Sequence, residues 1–357
     1  MNNKVKQSRE LNIELLRIVL MIMIVCHHFL MRGRGLHLLY TSESTNINDD
    51  ALHGLFIDSF LIMTVNCFIF ISGYYGIKFR VKTVLSLLMQ AITYSIGIDI
   101  IFNLFTGDTL SFDTIMNGFL SVPNGQWWFI TTYFFLYLLS PFLNLAKQHL
   151  SKFQFLYILG VLTIINFIIG FTLDPTSLGV LNGYSLFSFI CIYFYGQAFS
   201  TYLNFERGKL FYLSLYVICS LLIFGMFFIS MKYIGVGLAW RAFFYNNPLV
   251  LISAISFFFF FKNLKISYKI ISFFSSSVLA IYLIHEHPRS ADFLTDNLNT
   301  LATNYKIGSV YITLFLIAVL LFLCGTMIEK LRVAITEPFL NYLIAKFRWD
   351  RLDERMK

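Results

Sequence analysis

Long apolar stretches are the feature of this sequence that most restricts its fold. Ten of them have the length, about 17–25 residues, at which an α-helix crosses the hydrocarbon core of a bilayer. Backbone N–H and C=O groups find no water in that core, so a spanning segment must satisfy its own hydrogen bonds. The sequence therefore predicts an all-α, polytopic integral membrane bundle of about ten transmembrane helices. The predicted spans cover residues 12–31, 52–76, 82–105, 127–146, 153–173, 184–203, 209–231, 243–261, 270–288 and 308–332.

The composition supports a lipid environment. Of the 357 residues, 57% are hydrophobic and only 13% are charged, and the mean hydropathy is +0.71. A soluble domain is nearer half apolar and a quarter charged. Lipid is therefore expected to replace water around most of the surface of this protein.

Basic residues alternate between loops in a way that predicts the orientation. The chain has 27 Lys and Arg residues, 19 Asp and Glu residues and a formal net charge of +8. Twenty of the 27 fall at the termini and in every second loop, six fall in the other loops, and Arg17 lies inside the first span. Because cytoplasmic loops collect Lys and Arg, both termini are predicted to be cytoplasmic. The same rule accounts for the positive charge, so we expect no nucleic-acid partner.

The sequence predicts one transmembrane domain, at residues 1–332, followed by a short basic cytoplasmic tail at 333–357, with a surface helix near 339–343. No soluble domain is expected beyond that tail. No P-loop, HExxH or GxSxG motif occurs, which argues against an ATP-driven pump. The five cysteines lie in separate apolar runs, so we expect neither disulfides nor a metal site built on them.

Ionisable side chains inside a membrane helix are costly and therefore indicate function. The first predicted span contains Glu14, Arg17, His27 and His28. Eleven helical steps of about 100° return His28 to within about 20° of the face of Arg17, roughly 16 Å further along the axis, and Glu14 shares that face. His27 is expected to point about 100° away from His28, and so to face elsewhere and to matter less for activity. Alternatively, Arg17 could snorkel to the interface, and either histidine could be a hydrogen-bonded packing residue.

Three cations follow the second predicted span at alternating positions, Lys78, Arg80 and Lys82. Such a cluster could bind phosphate groups. The alternative is the ordinary basic cap at the cytoplasmic end of a membrane helix.

Two further segments lie near the outer ends of their predicted spans. Trp127-Trp128-Phe129 opens the fourth span, which Pro141 is expected to close. These tryptophans either anchor the helix at the interface or stack on a sugar ring or acyl chain. Tyr282-Leu283-Ile284-His285 ends the ninth span and is followed by Glu286-His287-Pro288. His285 suits an outer pocket or a polar helix end, whereas a metal pair with His287 would need a partner helix, because residues two apart do not face each other.

Together these features resemble the membrane acyltransferase 3 family, and the resemblance covers most of the chain. In that family the first helix carries an acidic residue, Arg three positions later and His eleven after the Arg; an FxxxSG-type sequence, a Trp-Phe pair with a later Pro, and Tyr-Leu-x-His follow in that order. The matching residues here are Glu14, Arg17 and His28, then Phe68 to Gly73, Trp128-Phe129 with Pro141, and Tyr282 to His285. Many members have Arg-x-Arg where this chain has Arg80-Val81-Lys82, and Lys lacks the bidentate fork of Arg.

The resemblance implies an O-acetyltransferase of bacterial surface polysaccharides, located in the cytoplasmic membrane. Its donor would be acetyl-CoA, and its acceptor a hydroxyl of a glycan or of a lipid-linked glycan precursor. It implies a catalytic role for His28, Arg17 and Glu14, with His28 as general base or as an acyl-carrying nucleophile. Glu14 is expected to pair with Arg17 and not with His28, which is too far along the axis. No metal is expected.

The remaining predicted roles follow from charge and position. Lys78, Arg80 and Lys82 would hold the CoA phosphates at the cytoplasmic side, and Trp128, Tyr282 and His285 would serve the acceptor at the outer side. Two alternatives stay open. One is a glycan or lipid transporter, which intramembrane charge also suits. The other is a transferase of succinyl or longer acyl groups. The acceptor sugar and the oligomeric state stay open as well.

Overall fold

The computed structural model describes residues 10–33, 36, 49–173, 176–203, 205–304, 307–347 and 349. Throughout these residues the secondary structure consists of helices and turns, without a strand, which confirms the all-α prediction. The helices are α1 Leu11–His28, α2 Asp49–Leu61, α3 Thr64–Tyr75, α4 Val81–Thr106, α5 Phe112–Phe119, α6 Trp128–His149, α7 Lys152–Thr163, α8 Leu186–Thr201, α9 Lys209–Tyr233, α10 Pro248–Lys262, α11 Ile270–Ser275, α12 Val278–His285, α13 Pro288–Asn304 and α14 Ile307–Phe347.

The helices confirm a polytopic membrane bundle. In the described part of the chain, eight helical segments are long and apolar enough to cross a bilayer: Leu11–Arg32, Asp49–Tyr75, Val81–Thr106, Trp128–His149, Lys152–Thr172, Lys209–Tyr233, Val236–Lys262 and Val310–Phe347. The predicted ninth span is a bent unit in which Ile270–His285 and Pro288–Leu298 meet at 79°. The predicted sixth span corresponds to Leu186–Thr201, an apolar helix shorter than the others. Each of the ten predicted stretches is thus matched by helix.

The prediction that Pro141 closes the fourth span is wrong. Pro141 is buried inside α6, which continues to His149. A proline removes the N–H that would bond the carbonyl four residues earlier, here the carbonyl of Tyr137. The hydroxyl of Ser140 donates to that carbonyl over 2.7 Å, so the missing bond is replaced locally and the helix continues.

The last helix extends beyond the predicted membrane domain. α14 runs without interruption from Ile307 to Phe347 and contains Pro338. The part of the predicted tail up to residue 347 is therefore helix continuous with the last span, and the rest lies almost entirely outside the described residues.

Two glycines let α3 and α8 approach closely. A Cβ atom on Gly73 would lie 2.1 Å from the carbonyl oxygen of Tyr193, and one on Gly196 would lie 2.5 Å from that of Phe70. Real Cβ atoms do not come this near to backbone atoms. Gly73 therefore serves helix packing at this seam.

The first helix lies at the centre of the bundle. α1 contacts α2, α3, α10, α11, α12 and α14, so elements distant in sequence surround it. Leu16, Leu20 and Val25 are fully buried among them. The polar side chains of α1 that consequently meet residues of other helices include Glu14, His27 and His28.

Candidate active site

A cavity of about 610 Å³ opens beside the C-terminal end of α1. This size is typical of sites for small organic ligands. Its wall combines aromatic rings with ionisable groups. The lining residues include His27, His28, Arg32, Asp58, Trp128, Tyr184, Trp240, Tyr245, Glu286 and Asp292.

His28 is held by a chain of hydrogen bonds that determines its proton positions. His285 Nδ1 lies 2.7 Å from the carbonyl oxygen of Ile281, which can only accept, so Nδ1 carries the proton. In neutral His285, Nε2 is then the acceptor, and it lies 2.8 Å from His28 Nδ1. His28 Nδ1 must therefore be the donor. The remaining nitrogen of neutral His28, Nε2, keeps a lone pair that is free to take a proton.

A carboxylate also contacts His28. Glu286 Oε1 is 3.1 Å from His28 Nδ1, and both Glu286 oxygens accept from the guanidinium of Arg32, over 2.8 and 2.9 Å. Sequence reasoning did not assign a role to Glu286 or Arg32. The signal was available, because Glu286 directly follows His285 at the end of a membrane helix and a carboxylate there needs a partner.

His27 borders the same cavity, so the expectation that it faces elsewhere is wrong. Its Nδ1 lies 2.5 Å from Oδ1 of Asp58 on α2, and its ring centroid is 5.3 Å from that of His28. The rotation of about 100° between successive residues holds. Both directions meet the cavity, where His27 contacts Asp58 on α2 and His28 contacts His285 on α12.

Three aromatic rings form a cluster on the wall of the cavity. The ring centroid of Trp128 lies 4.6 Å from that of Tyr184 and 5.8 Å from that of Tyr245, and the centroids of the two tyrosine rings are 4.7 Å apart. Tyr184 lies in the loop before α8, where burial raises the pKa of its phenol to about 12, so the hydroxyl stays protonated at neutral pH. Tyr282 is buried nearby, with its ring centroid 6.4 Å from that of His28. The structure thus places Tyr282 and His285 beside His28 and Trp128 on the wall of the same cavity, while their roles stay predictions.

Glu14 and Arg17 lie at the other end of α1. Glu14 Oε1 is 3.8 Å from Arg17 Nη1, which confirms the expected pairing, and the hydroxyl of Ser275 donates to the same carboxylate. The structure places neither residue beside His28. Any role of this pair in catalysis must therefore be exercised on the donor or on the path to the cavity.

The predicted phosphate-binding cluster begins at an ordered turn. The Tyr137 hydroxyl donates to the Lys78 carbonyl and accepts from the Arg80 N–H. Lys78, Arg80 and Lys82 are all exposed. Lys82 bonds Glu337 and Asn341 on α14, over 3.1 and 2.9 Å, whereas the side chains of Lys78 and Arg80 have no partner among the described residues. Lys78 and Arg80 are therefore the cations of the cluster best able to meet an anion.

The ligand atoms of His28, His285 and Glu286 lie within 4.8 Å of one another, which is close enough to hold a metal ion. The partner helix that a metal pair would need is thus present, although it serves His285 and not His287. Hydrogen bonds account for the proximity without a metal: Arg32 engages both oxygens of Glu286, and the imidazoles bond each other. The absence of a metal stays a prediction.

Comparison with known proteins supports the family resemblance. The family model of the acyltransferase 3 type, described as an acyltransferase domain, matches residues 10–329. The match includes every candidate site residue named above except Glu337 and Asn341, the partners of Lys82. Comparisons with curated proteins and with solved structures find no match.

Proposed function

Because this chain belongs to the acyltransferase 3 family, we propose that it moves an acetyl group from acetyl-CoA to a hydroxyl of a cell-surface polysaccharide or of its lipid-linked precursor, in a bacterial cytoplasmic membrane. The observation that carries the proposal is the position of His28. It presents an unprotonated Nε2 to a cavity of about 610 Å³, while two partners hold its other nitrogen. That is the arrangement a general base for a hydroxyl group requires.

The reaction begins with the acceptor hydroxyl, which is a poor nucleophile while it keeps its proton. His28 Nε2 takes that proton as the oxygen attacks the thioester carbonyl. The imidazolium that forms lies 3.1 Å from Glu286, whose negative charge stabilises it. When the C–S bond breaks, the same proton passes from His28 to the CoA thiolate, so the enzyme returns to its starting state.

The donor enters from the side of the basic turn. CoA carries several negative charges on its phosphates, and Lys78 and Arg80 offer exposed positive charge at the start of α4. Arg17 lies between that end of the bundle and His28, and about 16 Å of helix separates Arg17 from His28. The narrow pantetheine arm spans such a distance while the phosphates stay at the surface. CoA then need not cross the membrane.

The acceptor binds at the aromatic cluster formed by Trp128, Tyr184 and Tyr245. Sugar rings present apolar C–H faces together with hydroxyl groups, and this wall offers rings beside polar side chains. Trp128 and Tyr184 come from different parts of the chain, so the cluster is a product of folding. Its proximity to His28 is the reason to assign it to the acceptor.

The decisive experiment is mass spectrometry of surface glycans from cells with wild-type protein, with His28→Ala and without the protein. The proposal expects acetyl esters only with wild type, on glycan of unchanged amount. A succinyl increment in place of acetyl would reassign the donor. Loss of the glycan from the surface, with its acylation unchanged, would indicate a transporter instead.

A further inference from the structure

The pair of His27 and Asp58 is not used by the mechanism above. Asp58 is fully buried, its Oδ1 lies 2.5 Å from His27 Nδ1, and its Oδ2 has no hydrogen-bond partner among the described residues. A carboxylate withdrawn from water keeps its charge only when a cation compensates it. His27 is the described side chain that pairs with it, so the arrangement favours an imidazolium–carboxylate pair.

The two neighbouring histidines therefore differ in what they offer to the cavity. The carboxylate beside His28, that of Glu286, is already neutralised by Arg32. The other partner of His28 is His285, which accepts a hydrogen bond from the neutral His28 ring. His27 faces a carboxylate with no described cation other than itself. Adjacent groups whose surroundings favour opposite protonation states are the usual arrangement for separate acid and base roles.

Resting on the function proposed above, we propose that His27 is a second catalytic residue, whose Nε2–H donates a hydrogen bond to the thioester carbonyl oxygen as negative charge develops there. Its Nδ1 is occupied by Asp58, so Nε2 is the nitrogen available to the cavity that His27 lines. Asp58 is a positioning residue, because it holds the ring and its charge without touching the substrate. Oriented donors of this kind, aimed at the developing oxyanion, are usually a major source of rate enhancement.

The step balances with the proton transfers already assigned. As the acceptor oxygen bonds to the carbonyl carbon, the π electrons move to the carbonyl oxygen and His28 takes the hydroxyl proton. His27 keeps both of its protons and only donates a hydrogen bond to the oxyanion. When the carbonyl re-forms, the C–S bond breaks, and the thiolate receives the proton from His28. No oxidant, metal or further reactant is needed.

The surroundings of His27 are compatible with this role. The ionisable groups that act on it or line the same cavity are His28 and Arg32 on the α1 segment, Asp58 on α2, Glu286 beyond α12, and Tyr184, Tyr245 and Asp292 on the cavity wall. Arg32 and Glu286 bind each other, so their opposite charges largely cancel at this distance. Asp58 is left as the net charge that His27 faces most directly.

The test measures kcat and KM on purified protein in lipid nanodiscs, with acetyl-CoA and de-O-acetylated surface glycan from the cells that make the protein. His27→Ala is expected to lower kcat about 10²–10³-fold with little change in either KM. His27→Gln keeps an N–H donor of similar reach and should recover about tenfold of that loss. Asp58→Asn keeps the volume but removes the charge, and should lower kcat by about tenfold or more.

Matched controls separate this role from a structural one. His149→Ala and Asp113→Asn change exposed residues of the same types, and should leave kcat, KM and thermal stability as in wild type. Acetyl-CoA affinity of the His27 and Asp58 variants, measured directly, reports whether the fold survives. If well-folded His27→Ala keeps kcat within about threefold of wild type, or if His27→Gln is no better than His27→Ala, the oxyanion role is overturned. Absence of transfer by wild type would defeat the proposed function itself.

Discussion

His28 Nδ1 lies 2.8 Å from His285 Nε2, so a single hydrogen bond joins residues that are 257 positions apart in the sequence. The bond sets the tautomer of His28 and leaves Nε2 to face the cavity. It also ties the first helix to the bent unit that contains α12. The geometry of the proposed base therefore depends on two helices docking correctly.

Removal of the base should abolish transfer while the protein still inserts. His28→Ala is expected to lower kcat for glycan acetylation by about 10²–10⁴-fold, the usual contribution of a general base. The measurement is transfer by purified protein, normalised to the folded amount. His149→Ala, at an exposed position of α6, is the control. Substantial transfer by His28→Ala would contradict its role as the base.

Truncation of the aromatic cluster should weaken acceptor binding selectively. Trp128→Ala removes the ring contacts with Tyr184 and Tyr245. It should raise the KM for glycan by about tenfold without a comparable change in the KM for acetyl-CoA. Tyr157→Ala removes an aromatic side chain that is 66% exposed on α7, and should leave both values unchanged. A defect confined to acetyl-CoA would place Trp128 on the donor side and contradict the assignment.

Neutralisation of the basic turn should weaken donor binding in a salt-dependent way. Lys78→Ala combined with Arg80→Ala is expected to raise the KM for acetyl-CoA at low salt. The difference in this KM between the double variant and wild type should become smaller as ionic strength rises, because salt screens the charges that wild type uses to bind the donor. The exposed Lys152 and Lys209, on the same predicted side, supply the control pair. If neutralising the control pair raises the KM for acetyl-CoA equally, Lys78 and Arg80 are only part of the ordinary basic cap of a membrane helix.

Chelation should leave the activity intact. Arg32 and the imidazoles already occupy the ligand atoms of His28, His285 and Glu286 through hydrogen bonds. Prolonged dialysis against a strong chelator is expected to change neither kcat nor thermal stability. Activity that is lost on chelation and restored by one added divalent ion would show that these three side chains bind a metal instead.

The α3–α8 seam should tolerate no side chain at its glycines. Gly73→Ala places a methyl group where the carbonyl of Tyr193 already lies, and neither backbone can yield without separating the helices. We expect a strong loss of thermal stability, or failure to accumulate, measured by fluorescence-detected size-exclusion chromatography. Gly97→Ala, on α4 with no atom near the added Cβ, is the control and should behave like wild type. Normal accumulation of Gly73→Ala would contradict the close packing.

Part of the candidate site could be predicted because its signals are local in the sequence. Helical periodicity places Glu14 near Arg17, and the structure confirms this pair at 3.8 Å. The cost of ionisable groups in lipid pointed to His28 and His285. Asp58, Arg32 and Glu286 were not assigned, because their importance depends on which side chains of other helices they meet. The wrong expectation for His27 has the same cause. The geometry of a single helix gives the direction in which a side chain points, but not which residues of other helices lie in that direction.

The sequence by itself determined that this protein is a bundle of membrane helices, where those helices lie, and which family it belongs to. These properties follow from the length of the apolar runs and from short motifs, both of which are written locally in the chain. Only the tertiary structure decided that Asp58, Glu286 and Arg32 meet the two histidines, and that Tyr184 joins Trp128 at the cavity. The reason is physical: helix–helix contacts depend on the shape and packing of side chains from distant segments, and no local pattern records which faces will meet.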